Sequence, residues 1–148
     1  MLKENMFTLT KEPGKTYGPP AAKDAVPFLN FSSLENALVQ LKNSTDEFQK
    51  LYSKGISLSA DKKAQLNTIL YQAEQSLLQQ AGLPRRPWYR HEIYAPGFYT
   101  GYGVKTLPGI REGIEQRNWK EAQAHIEIVA KTLETYTAQV NQAIGLLR

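Results

Sequence analysis

The chain has 148 residues, of which 41% are apolar and 22% charged, and a formal charge of +4; this supports one folded domain with a core and excludes wholesale disorder. It contains no cysteine, which excludes a disulfide scaffold, a thiolate zinc site and a cysteine nucleophile. Lys and Arg exceed Asp and Glu by one in residues 1–82, by three in 83–105 and by none in 106–148, so the excess is local and suits an anion site or an interface better than a surface tracking nucleic acid.

Met1-Leu2-Lys3-Glu4-Asn5-Met6 has no apolar h-region or small-residue cleavage site, so no signal peptide is expected there, and no apolar run nears the ~20 residues of a membrane span. Residues 2–10, with Leu2, Met6, Phe7 and Leu9, read as one or two helical turns. Residues 11–30 hold Pro13, Gly14, Gly18, Pro19, Pro20 and Pro27; proline fixes φ and removes amide donors, which predicts an extended arm. A first long helix opens at Ser32, where Glu35 completes a capping-box spacing. Its seam is Leu34, Leu38, Leu41, Thr45, Phe48 and Tyr52, ending near Gly55. A second helix starts near Ser59 and carries Leu66, Leu70, Ala73 and Leu77, widened by Ile69 and Leu78. Gly82 supplies its left-handed end and Pro84 forbids continuation.

Thr106-Leu107-Pro108 opens a short third helix to about Arg117, with proline in the first turn. In the fourth helix Asn118 caps and Glu121 stands three residues on. Its seam is Trp119, Ala122, Ile126, Val129, Leu133, Tyr136, Val140, Ile144 and Leu147, with Gln123, Glu127, Lys131, Glu134 and Asn141 facing away. At ~1.5 Å per residue this helix is about 43 Å long and must lie against others. The fold class expected is all-α.

Between the second and third helices, residues 88–102 hold Trp88, Tyr89, Tyr94, Phe98, Tyr99 and Tyr102. Gly97, Gly101, Gly103, Pro84, Pro87 and Pro96 punctuate the wider stretch 83–107. A connector this long in a compact domain points to function. Arg85-Arg86-Pro87-Trp88-Tyr89-Arg90-His91 supports two readings. One is a surface loop pinned by its aromatics, its arginines stacking and bonding carbonyls. The other is a binding surface, since Trp, Tyr and Arg dominate interface energy. Single-stranded nucleic acid also uses interleaved aromatics and arginines, but the confined charge argues against it.

His91 and His125 are the two histidines. His125 and Glu127 stand two apart, on different faces of a helix, and His91-Glu92 lacks the second histidine of a His-Glu-x-x-His site. Both histidines are expected to be structural or solvated, with no metal ligand, cofactor or catalytic residue in the chain. A nucleophile elbow, a phosphate loop and a dinucleotide fingerprint are all absent from the sequence.

Gly82-Leu83-Pro84-Arg85-Arg86-Pro87-Trp88-Tyr89-Arg90-His91-Glu92-Ile93-Tyr94-Ala95-Pro96, followed by Leu107-Pro108-Gly109-Ile110, closely resembles the C-terminal helical domain of the glutamate carboxypeptidase II and transferrin receptor family. The resemblance spans about residues 28–148 and makes residues 1–27 the tail and connector of a preceding peptidase domain. It implies a four-helix up-down bundle, the transferrin receptor-like dimerisation domain, that packs on its own peptidase domain and forms a homodimer with a second subunit. Zinc and the catalytic glutamate would belong to that peptidase domain, leaving this chain non-catalytic.

The resemblance also implies that residues 94–107 reach the substrate pocket, where a Lys-Tyr pair contacts the carboxylate of a C-terminal glutamate. Tyr102 stands at the tyrosine position and Gly101, after Thr100, at the lysine position; Lys105 lies four residues on. Interface or loop-anchoring roles fall to Arg85, Trp88, Tyr89, Arg90, His91 and Tyr94. The longer protein would act outside the cytoplasm, periplasmic or secreted. Two alternatives stay open: a free-standing helical module that binds partners through residues 83–107, and a domain of a receptor-type homologue without peptidase activity.

Overall fold

The computed structural model describes residues 9–12, 15–17 and 21–148. Residues 2–8 of the expected N-terminal helical turns lie outside them. Leu9–Glu12 is a strand, β1, paired antiparallel with Lys15–Tyr17, β2, with Leu9 opposite Tyr17. This corrects the end of that expectation: β-branched Thr10 and Thr16 suit strands better than helical turns. Residues 21–31 follow without regular structure. They lie beside the last two helices, where Arg117 donates to the Asp24 carbonyl and Asn30 exchanges two hydrogen bonds with Gln123, at 2.9 and 3.1 Å.

Four α-helices make up most of the domain: α1 Ser32–Tyr52, α2 Ala60–Tyr71, α3 Pro108–Glu115 and α4 Trp119–Leu147. The expected Ser32 cap is not formed. Ser32 already lies inside the helix, Phe31 takes the cap position, and the Asn30 side chain accepts the Ser32 amide at 3.0 Å. Ser59 and Asn118 do cap α2 and α4, accepting from Lys62 and Glu121. Residues 72–82, read as more of the second helix, leave it instead. Gln139 of α4 takes the Ile69 carbonyl at 2.8 Å, the acceptor the next helical amide needs, and Ser76 takes the Ala73 carbonyl at 2.6 Å. A 3-10 turn over Ala73–Leu77 results. Gly82 is left-handed, at φ 67°, but well past the helix end.

The core joins Leu34 and Ala37 of α1, Ile110 of α3, and Ile126, Val129, Ala130 and Leu133 of α4. A second cluster joins Leu66 of α2 to Ala143 and Leu147 of α4. All of the α4 seam is buried or half-buried. The α1 seam is rotated from expectation: Ala37 and Leu51 turn inward while Leu38 and Tyr52 stand 50% and 62% exposed.

Cross-element bonds give the helix directions. Asn30 meets Gln123 and Glu47 meets Arg148, so α1 runs parallel to α4. Lys62 meets Leu146, Ile69 meets Gln139 and Gln79 meets Thr132, so the second segment runs antiparallel to it. Gly109 faces His125 and Gly113 faces Ala122, so α3 continues in the sense of α2. The course is up, down, down, up. Strict up-down alternation is thus replaced, because the connector returns the chain alongside α4 rather than reversing it.

Candidate functional site

The connector is two built pieces. Residues 82–89 close on themselves through Leu83 N to Tyr89 O at 2.8 Å, Arg86 N to Leu83 O at 3.1 Å and Tyr89 N to Arg86 O at 2.9 Å. Leu83, within this loop, is buried. A Cβ at Gly82 would collide with the Pro87 backbone, so only glycine closes the loop. Next, residues 77–79 pair with 90–92: Gln79 N donates to Arg90 O at 2.9 Å and Glu92 N to Leu77 O at 3.1 Å. From there Tyr94–Pro96, β3, and Val104–Thr106, β4, form an antiparallel hairpin, Tyr94 opposite Thr106 and Pro96 opposite Val104. The connector expected to be a loop therefore contains a small sheet, and β-branched Val104 and Thr106 were its sequence signal.

Two ion pairs fasten these pieces to the helices. Arg86 is 5% exposed; its Nη2 meets both Glu112 carboxylate oxygens of α3 at 2.8 and 2.9 Å, and its Nη1 donates to the Pro96 carbonyl. Glu112 also accepts the Phe98 amide at 2.8 Å. Arg85, held at φ 62°, makes a two-pronged contact with Glu121 of α4 at 2.8 and 3.0 Å. Both guanidiniums lie over the Phe98 ring, 5.5 and 5.7 Å from its centre. One hairpin residue is thus gripped by both arginines and by Glu112.

His91 and Glu92 form the hairpin's foot. The His91 Nδ1 accepts the amides of Ile93 and Tyr94, each at 3.2 Å, and its Nε2 points at Glu74 of the 3-10 turn, 3.7 Å away. Burial lowers its pKa, outweighing the raising effects of Glu74 and Glu92. Tyr94 lies tilted against the His91 ring and donates its hydroxyl to Glu74 at 2.8 Å, which raises the phenol pKa. Glu92 is wholly buried, and the imidazole of His125 on α4 approaches it to 3.5 Å. Both imidazoles thus face a glutamate, Glu74 for His91 and Glu92 for His125.

At the far end of the hairpin, Gly97 to Gly103 form the tip. Gly101 is left-handed at φ 64°, and the Gly97 amide donates to the Gly103 carbonyl at 2.9 Å. Thr100 folds its hydroxyl over Gly97, shaping the turn. Tyr102 is fully exposed and Tyr99 largely so; Tyr102 does not pack on the bundle. No residue from Gly97 to Val104 carries a charge. Lys105 pairs with Glu115, which Arg111 also meets at 3.1 Å, and the two cations hold the Glu115 pKa down.

Of the residues singled out in the sequence, Arg85, His91 and Tyr94 are anchors. Tyr89 is half-buried against Arg86, with its ring centre 6.0 Å from that guanidinium. Trp88, 76% exposed, and the exposed side chain of Arg90 project outward as open surface. Tyr102, Gly101 and Thr100 share the tip, away from the anchors. Sequence reasoning missed Glu74, Glu112 and Glu121, the acidic partners of the connector. Their only signal was opposite charge on amphipathic helices, which does not specify a long-range pair. Among the described residues, no group of three or more His, Asp or Glu side chains gathers as a metal would require, and no helix is long and apolar enough to cross a membrane.

Residues 29–141 match the family model of the transferrin receptor-like dimerisation domain. A probable glutamate carboxypeptidase of Arthroderma benhamiae is 35% identical over 108 residues, 72% of this chain and 15% of that protein. A probable glutamate carboxypeptidase of Arabidopsis thaliana is 35% identical over 79 residues, covering 49% of this chain and 12% of its own length. An inactive zinc metalloprotease of Schizosaccharomyces pombe is 28% identical over 108 residues, 70% of this chain and 14% of its own. The chain thus spans less than a sixth of the length of each of these relatives.

Proposed function

Because the chain belongs to the transferrin receptor-like dimerisation domain family, we propose that it serves a longer zinc-dependent, glutamate carboxypeptidase-like protein as a non-catalytic part. In this reading the helices pack on a peptidase domain and a second subunit. Residues 1–27 form the tail of the peptidase domain and the link from it, and zinc and the reacting groups lie in that domain. The hairpin completes the substrate pocket, and Tyr102 donates its hydroxyl to a substrate carboxylate.

The observation that carries this reading is the hairpin itself. It is tied to α3, α4 and the 3-10 turn at Pro96 and Phe98, Glu92 and His91, while its tip holds Tyr102 fully in the open. A rigid support with an exposed tip suits a binding loop. In the longer protein, Tyr102→Phe should raise KM roughly tenfold, the scale of one hydrogen bond to a charged group, with kcat retained. An unchanged KM would remove Tyr102 from the pocket.

A second reading, a homologue without peptidase activity, is favoured by Gly101 at the lysine position and by the inactive relative. It is distinguished by assaying the zinc-loaded longer protein on peptides ending in glutamate: measurable hydrolysis excludes it.

A further inference from the structure

We propose that His91 is an acid-released latch: while its ring is neutral it holds the foot of the 94–106 hairpin in place, and when the ring gains a second proton that foot opens while Arg86 and Glu112 keep Pro96 and Phe98 fastened. This goes beyond the pocket role above and holds whatever the tip touches.

An imidazole nitrogen that accepts a bond carries no proton. The His91 Nδ1 accepts two, from the amides of Ile93 and Tyr94, so the ring's single proton resides on Nε2. Those amides stand at the entry to β3, and the Ile93 carbonyl accepts the Leu107 amide at 2.8 Å just beyond β4. One nitrogen thus organises the place where the hairpin leaves the domain and returns to it. A proton added to Nδ1 turns the acceptor into a donor facing two donors, and the turn it capped must open.

The surroundings sharpen this outcome. The ring is 8% exposed, and Nε2 is buried without a hydrogen-bond partner, so a second charge would be poorly solvated. The groups facing it are Glu74 from the 3-10 turn at 3.7 Å, the Tyr94 ring beside it and the adjoining Glu92. Glu92 is turned toward His125 of α4, against which α3 sets the backbone of Gly109. Glu74, with 68% of its side chain exposed, is a screened counter-charge. Neither acid supplies what a protonated Nδ1 would need, because Nδ1 faces the two amides.

The test uses the full 148-residue chain. Imidazole nitrogen shifts and amide exchange by NMR are followed from pH 8 to pH 5, with exchange corrected for its intrinsic pH dependence. At pH 8 the latch requires His91 protonated on Nε2 alone and protected amides at Ile93 and Tyr94. As the ring titrates, the amides of Ile93, Tyr94 and Leu107 should exchange at least tenfold faster, while those of Phe98, bonded to Glu112, and Val129 in α4 stay protected. His91→Asn keeps an acceptor oxygen near the Nδ1 position but does not titrate, and it should hold the foot closed at pH 5. A proton on Nδ1 at pH 8, foot protection unchanged after titration, or a folded His91→Asn that opens like wild type would each overturn the proposal. If His91→Asn fails to fold, the wild-type titration alone decides.

Discussion

At Arg86 a guanidinium lies under the connector with Glu112, the Pro96 carbonyl and the Phe98 ring around it. A buried charge costs several kcal/mol to desolvate, and paired, hydrogen-bonded neighbours repay that cost only together. Removing one leaves the other stranded. Glu112→Ala should therefore destabilise the chain by about 3–5 kcal/mol in urea unfolding, with the Phe98 amide losing its acceptor as well. A second residue-scale prediction concerns pH. Burial lowers the His91 pKa in the folded chain, so the unfolded chain binds its proton first as pH falls. That contribution to stability is complete above about pH 6.5, the ordinary imidazole value, and is lost as pH falls through the depressed one. Glu115, held low by Lys105 and Arg111, acts with the same sign in more acid solution, below the ordinary carboxylate pKa of about 4.3. Its exposure makes it the smaller effect. The melting temperature should thus drop in acid in two stages, and His91→Asn should erase the first. At this scale the sequence disclosed the basic half of each anchor. Arg85 and Arg86 stand in one conspicuous run, whereas Glu112 and Glu121 lie 26 and 36 residues away and look like any acid on a helix.

Among the elements, α3 and α4 meet most closely at two glycines. A Cβ at Gly113 would lie 2.9 Å from the Ala122 amide nitrogen, and one at Gly109 would strike the His125 ring. Gly145, near the end of α4, has nothing within 4 Å of that position. Gly113→Ala should destabilise by about 1–3 kcal/mol through overpacking, and Gly145→Ala should stabilise by up to about 1 kcal/mol through helix propensity. Opposite signs in thermal unfolding would verify that α3 is pressed against α4. The helices themselves were legible because caps and periodicity are local: Ser59, Asn118 and Pro108 mark starts that the structure keeps. Two features were not. The inward face of α1 uses small Ala37 in place of Leu38, a choice set by how near α4 comes. The end of α2 is decided by Gln139, 70 residues from the carbonyl it takes.

For the molecule as a whole, α4 is the common wall: α1, α2, α3 and the 3-10 turn all pack on it. Leu133 belongs to its main core, 6% exposed beside Val129 and Ala130. Leu133→Asp buries an unpaired carboxylate there and should abolish cooperative unfolding in circular dichroism, whereas a native-like melt would contradict this arrangement. An all-α domain was readable from patterning, but the direction of travel was not. Whether a helix lies parallel or antiparallel to its neighbour depends on where the connector delivers the chain, which the buried Arg86–Glu112 pair and the part-exposed Arg85–Glu121 pair hold in place.

The parallel packing of α1 on α4 also bears on how the polypeptide is made. During translation α1 leaves the ribosome first, and residues 53–118 must follow before the first residue of α4 is added. At ~5–20 residues per second, that interval and α4 itself take roughly 5–20 s. Throughout it Leu34, Ala37, Leu41 and Phe48 have no wall to cover them. The nascent chain therefore carries a bare greasy stripe until α4 emerges, and shielding by a chaperone during those seconds would favour folding over aggregation.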